Sequence, residues 1–243
     1  MNKKYKDFQK FIGFKFKNIE LLDLAFVHKS YVNEANDKAE NNERLEFLGD
    51  AVLELVVTEF LYKNYGNPEG ELTNWRSALV RGANLAEIAK RLDISGYLYL
   101  GKGEEKSGGR QKGYILANTV EAIIGAMFLD QGYKKAHEFI NKFIISYLGD
   151  ILEQGLHVDS KSRFQEIAQA KFNVTPEYKL ISESGPDHSK IFIMGAYISD
   201  VKYGEGEGSS KQQAEQNAAV NAMDQKGWKK KKNTEVKIRK ENA

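Results

Sequence analysis

The chain contains no cysteine, which excludes disulfides and thiolate-held metals. Histidine is sparse. The four residues, at 28, 137, 157 and 188, all lie outside the acidic segments described below. Acid–base work by histidine is therefore not expected in those segments. The N-terminal stretch MNKKYKDFQKF lacks the apolar run of a signal peptide, and no segment reads as long enough to span a membrane. A cytoplasmic protein with no membrane partner is the expectation. Excess charge is also missing, since the formal net charge is only +2.

What is present fits one or two domains with real cores: 243 residues, 41% hydrophobic and 29% charged. The charge is unevenly spread. Residues 1–150 hold 21 basic and 21 acidic side chains, whereas residues 159–225 hold 7 and 10. From Lys226 onward 8 basic residues face 2 acidic ones. A polyanion would thus be met by local patches or by the tail, not by a basic domain.

The stretch NNERLEFLGDAVLEL, residues 41–55, organises the rest. On a helix of 100° per residue, Glu43, Glu46, Asp50 and Glu54 fall on one narrow stripe. Phe47 and Leu53 flank it, and Leu45, Leu48, Ala51, Val52, Leu55 and Val56 cover the other faces. This predicts a mostly buried helix from Asn42 to about Tyr65, with Asn41 or Asn42 as cap. Crowded carboxylates beside apolar surface are costly unless paired, protonated or bound to a cation. A solvated stripe with Arg or Lys partners elsewhere is the plain alternative.

A second segment favours the cation. GYILANTVEAIIGAMFLD, residues 113–130, is strongly apolar and helical, with Asn118 and Glu121 as its polar exceptions at i and i+3. Gly125 continues that face and would admit a second helix closely. Glu121 is either a hydrogen-bonded structural residue or, opposed to Glu46 and Asp50, part of an all-oxygen site for Mg²⁺ or Mn²⁺. His28 reads as a structural residue.

Further helices are expected over 5–35, in two runs over 72–92, and over 134–149. Residues 101–113, GKGEEKSGGRQKG, read as a flexible polar loop whose Lys102, Lys106, Arg110 and Lys112 face either solvent or a polyanion. GDILEQGLHVDS reads as a linker. A helix over 160–172, strands in EYKLISESG, KIFIMGAYIS and VKYGEGEG, and an alanine-rich helix over 209–223 then give the order α-β-β-β-α. The expected organisation is an all-α domain over 1–150, a linker over 151–158, a small α+β domain over 159–227 and a basic tail over 228–243.

NERLEFLGDAVLEL resembles the signature of bacterial ribonuclease III. The likeness continues through HKSY, ALVRG, LGKGEEKSGGR and ANTVEAIIGA. The second domain resembles a double-stranded RNA-binding domain through DSKSRFQE, GPDHSK and the helix from Ser209. The resemblance spans residues 5–225. It implies an all-α endonuclease that forms a homodimer and cleaves both strands of double-stranded RNA with Mg²⁺, leaving 5′-phosphate and 3′-hydroxyl ends, in rRNA and mRNA processing. By position, Glu46, Asp50 and Glu121 match metal-binding, catalytic carboxylates; Glu43 and Glu69 match accessory acids near the cleft. Gln165 and Glu166 match minor-groove contacts, His188 a loop contact to the next minor groove, and Lys211 a phosphate contact. Lys190 and the lysines at 229–232 are further candidates from their charge.

Two departures stand out. Asn118 occupies a position where Asp is usual, leaving three matched carboxylates and one amide oxygen. Gln212 replaces a lysine common at the start of the last helix. A duplex-RNA binder with weakened or lost cleavage, Asn118 being the lesion, is the alternative function; a helical interaction protein with a structural acid cluster is a third.

Overall fold

The computed structural model describes residues 5–35, 40–154, 160–186, 190–228 and 236–238. Contacts divide the chain into two units, Met1–His157 with Lys237–Ala243, and Val158–Val236.

The first unit is helical: α1 Lys6–Ile12, α2 Ile19–Ala25, α3 Lys29–Ala35, α4 Glu43–Asn64, α5 Glu69–Val80, α6 Gly82–Arg91, α7 Lys102–Lys106, α8 Gly113–Phe143 and α9 Leu148–Gln154. Its centre is the crossing of α4 and α8. Leu45, Val52, Leu53, Val56, Val57 and Leu61 of α4 are buried against an α8 core that includes Ile123, Ile124 and Met127. The expected start of α4 holds. Asn41 Oδ1 accepts the Glu43 N–H at 2.9 Å, while the buried Asn42 amide donates to the Ala25 carbonyl.

The expectation of a mostly buried α4 needs correction. Leu55 is 57% exposed and Ala51 is exposed too; Phe47, whose place beside the acid stripe suits an exposed knob, is 81% exposed. Their spacing of four residues makes them one uncovered apolar stripe. The 101–113 segment is also more ordered than a flexible loop. Its own charges fold it into α7 and a 3₁₀ turn at Gly109–Gln111. Lys112 pairs with Glu104 at 2.6 Å and Arg110 with Glu105 at 2.7 Å, so two of its four basic groups are already engaged.

The linker begins later than expected, because Leu148 and Ile151 are core residues and α9 runs on to Gln154. One helical stretch, Gly113–Glu153, is long and apolar enough to cross a membrane by length and composition alone, contrary to the sequence expectation. Its apolar side chains are largely spent on the core, and Gly132, at φ 78°, breaks α8 internally.

The second unit contains α10 Ser160–Phe172, β1 Glu177–Ser184, β2 Ile191–Ile198, β3 Val201–Gly208 and α11 Lys211–Gln225. The strands form one antiparallel sheet in the order β1-β2-β3. Gly204, Gly206 and Gly208 face Ala222, Ala218 and Ala214, and a β-carbon at any of the three would strike the backbone of α11. That is the physical reason for the alternating glycines of VKYGEGEG: helix and strand touch backbone to backbone.

Candidate active site and RNA-binding face

The crossing of α4 and α8 builds the acidic site. A β-carbon at Gly49 would overlap the Glu121 carbonyl oxygen, and one at Gly125 would overlap the Leu45 carbonyl oxygen. Two glycines thus let the helices meet backbone to backbone. Glu46 and Asp50 flank Gly49 on α4; Asn118 and Glu121 precede Gly125 on α8.

The acid stripe divides in two. Glu43 pairs with Lys29 at 3.1 Å, and its carboxyl is held below the usual range chiefly by that bond. Glu54 pairs with Arg76 at 3.1 Å. For these two the solvated, paired alternative is the right one. Among the described residues, Glu46, Asp50 and Glu121 have no ion pair. Burial pushes Glu121 up to about 7, and the facing charges of Asp50 and Glu46 add to the effect. Glu46 is also raised, mainly by burial, although the neighbouring Asn118 side chain opposes the rise. The same cause acts in each case: carboxylates leave water and face like charge.

This donor set is all oxygen and uncompensated, which suits a hard divalent cation in chemistry and charge. The fit is not one of preformed geometry. Among the described residues no three His, Asp or Glu side chains converge closely enough to hold a metal as they stand.

Glu69 does not join the cluster within one chain. The turn at 65–68 sends α5 back along the far half of α4. Glu69 there accepts from Thr73 Oγ1 at 2.9 Å and lines a cavity of about 380 Å³ with Thr58, Tyr62, Asn67 and Arg76. From Asp50 to Tyr62 along the helix is about 18 Å. His28 is structural, its Nδ1 lying 2.8 Å from Ser30 Oγ.

In the second unit, Gln165 and Glu166 line an exposed concavity of about 530 Å³ on α10 with Ser162, Gln169 and Ala170. Lys211 opens α11, whose Ser210 cap accepts the Gln213 N–H at 3.2 Å. Lys190 lies 3.7 Å from Glu183. His188 and the lysines at 229–232 fall outside the described residues.

Residues 18–148 match the family model described as Ribonuclease-III-like, and residues 160–226 match the double-stranded RNA binding motif. Ribonuclease 3 of Treponema denticola is 47% identical over 214 residues, covering 88% of this chain and 87% of that protein. This chain belongs to the ribonuclease III family. Ribonuclease 3 of Borreliella burgdorferi is 44% identical over 209 residues, covering 86% and 85%. The nuclease domain of ribonuclease III from Campylobacter jejuni superposes with a TM-score of 0.54 at 39% identity, over 58% of this chain and 96% of that one.

The ribonuclease III unit is therefore an endoribonuclease fold, joined to a unit that binds double-stranded RNA. A binder that has lost cleavage finds no support among these relatives, which are named as enzymes. What sequence reasoning missed is Gly49. Its signal was available, since a glycine sits between the two α4 acids just as Gly125 follows Glu121. Lys29 and Arg76 were missed for another reason: nothing local marks them as partners of Glu43 and Glu54.

Proposed function

We propose that this chain hydrolyses phosphodiester bonds in both strands of double-stranded RNA, leaving 5′-phosphate and 3′-hydroxyl ends. Glu46, Asp50 and Glu121 would hold Mg²⁺, or Mn²⁺ in its place, together with the Asn118 carbonyl oxygen. The observation that carries this is Glu121, a half-buried carboxyl pushed up to about 7 opposite two more carboxylates and without an ion pair. When bound, the cation lowers the pKa of an attacking water and stabilises the leaving oxygen. The side chains supply the rest. Asn118 lies close enough to Glu46 to lower its carboxyl pKa somewhat, and its amide oxygen would be the fourth, uncharged ligand. Glu43, tied to Lys29, is an accessory acid at the rim. Glu69 would be accessory only across an interface, given its distance within one chain.

The stripe of Phe47, Ala51 and Leu55 supports a symmetric homodimer through this face, placing two cleavage sites on one duplex. The Campylobacter jejuni structure is described as having a region involved in dimer formation, which agrees. The second unit would read A-form RNA by shape. Gln165 and Glu166 meet one minor groove, His188 the next, and Lys190 and Lys211 the phosphates. The cellular role is processing of rRNA and mRNA precursors in the cytoplasm.

Labelled duplex RNA, incubated with the protein in Mg²⁺ and in chelator, tests the proposal. Cleavage in both strands that stops in chelator is expected. Cleavage that persists after thorough chelation overturns the metal assignment, and a gel shift without cleavage in Mg²⁺ overturns the enzymatic one. Light scattering at micromolar concentration should give a dimer.

A further inference from the structure

The end of the chain returns to the first unit. Lys237 and Ile238 group with it at the turn between α4 and α5. The Gly66 N–H donates to the Lys237 carbonyl at 2.6 Å, and the Lys237 N–H donates to Asn67 Oδ1 at 3.0 Å. Tyr65 and Ile238 form an antiparallel bridge. The tail thus adds a very short strand to a turn, by backbone pairing of the kind extended peptides use on exposed edges.

The receiving side is prepared for this contact. Asn67 is only 8% exposed, and its amide nitrogen donates to Glu71 at 2.7 Å. That bond fixes the carboxamide with its oxygen toward the tail. Tyr65 packs edge-on against the buried Trp75 at 5.1 Å, so the turn is anchored in the core. Gly66 itself is exposed, and without the tail its N–H would face water. On the tail side the grip comes from the backbone. Ile238 is 75% exposed, and Val236 is exposed as well. A contact made by a pair of hydrogen bonds with little apolar burial opens readily.

We propose that residues 236–238 act as a releasable strap. They fasten the downstream end of the RNA-binding unit to the α4–α5 turn, so that this unit is tethered to the nuclease unit through both of its ends. A single linker leaves an attached domain free to reorient; a second attachment closes a loop and removes much of that freedom. The strap operates whether or not the metal assignment above is right, because it uses none of the acidic residues at the helix crossing.

Amide exchange measured by NMR on the intact chain tests the strap directly. The variants are a chain ending at Glu235 and full-length Lys237→Pro, which loses the N–H that Asn67 accepts. In the intact chain the Gly66 amide should exchange about tenfold more slowly than in the truncated chain, with Lys237→Pro between them. Amides of the buried segment around Trp75 should not change, showing that the unit stays folded. Spin relaxation should show the RNA-binding unit tumbling more independently after truncation. Equal Gly66 exchange in the intact and truncated chains overturns the contact. Altered Gly66 exchange with unchanged tumbling overturns its role as a tether.

Discussion

Replacing Glu121 by Gln should stabilise the metal-free protein at alkaline pH while removing one of the proposed metal ligands. The cause is the burial of Glu121, with the charges of Asp50 and Glu46 adding to it. Its folded-state carboxyl sits at about 7, against an ordinary value of 4.5. The folded protein therefore holds a proton that the unfolded chain has lost between these two values. Stability falls with rising pH wherever the folded state binds more protons, so the loss runs from about pH 4.5 to somewhat above 7. At about 1.36 kcal/mol per pH unit the interval is worth at most about 3.4 kcal/mol. Glu121 is only partly buried, and solvent screening reduces this to about 1–2 kcal/mol. Gln keeps the shape and carries no charge, so the penalty disappears. For a unit of this size that corresponds to a Tm about 3–6 °C higher than wild type near pH 8. Near pH 5 the gap should close. Scanning calorimetry in chelator across this range reads it. Saturating Mg²⁺ should reverse the order, because only the wild type gains full binding energy. Parallel Tm curves for the two proteins in chelator would refute the assignment of a strained, uncompensated carboxyl at Glu121.

Gly49→Ala drives a β-carbon into the Glu121 carbonyl, so the helices must separate. A loss of about 3 kcal/mol or more in chemical denaturation is expected, with cleavage reduced beyond the stability effect; a loss under about 1 kcal/mol would mean that the crossing is loose. Asn118→Asp adds a fourth charge beside Glu46; the Mg²⁺ concentration for half-maximal rate should fall, and an unchanged or raised requirement would show that Asn118 does not ligate. Gln212→Lys, near the start of α11, should raise the magnitude of the log K versus log salt slope for duplex RNA by about one. A slope that stays put would mean the phosphate contacts lie elsewhere.

The sequence by itself determined the two-part organisation, the α-β-β-β-α order of the second unit and the identity of the acidic residues. These are local properties. Hydrophobic period, turn residues and the i, i+3, i+7 spacing of carboxylates are written along the chain and need no distant partner. Tertiary structure decided which acids are paired and which are left as an unpaired group. Glu43 and Glu54 lie on the same stripe as Glu46 and Asp50, yet Lys29 and Arg76 arrive from other helices and neutralise only the first two. It also decided that Glu69 stands apart, because a turn reverses the chain before α5. It left Leu55 uncovered where composition suggested burial, beside the exposed Phe47. The segment at 101–113 owes its order to ion pairs between residues 5 and 8 positions apart, a range that neither helix nor strand periodicity reports. Burial is a property of what packs against a residue, and a single sequence does not state that until the backbone crossing at Gly49 and Gly125 brings the helices together.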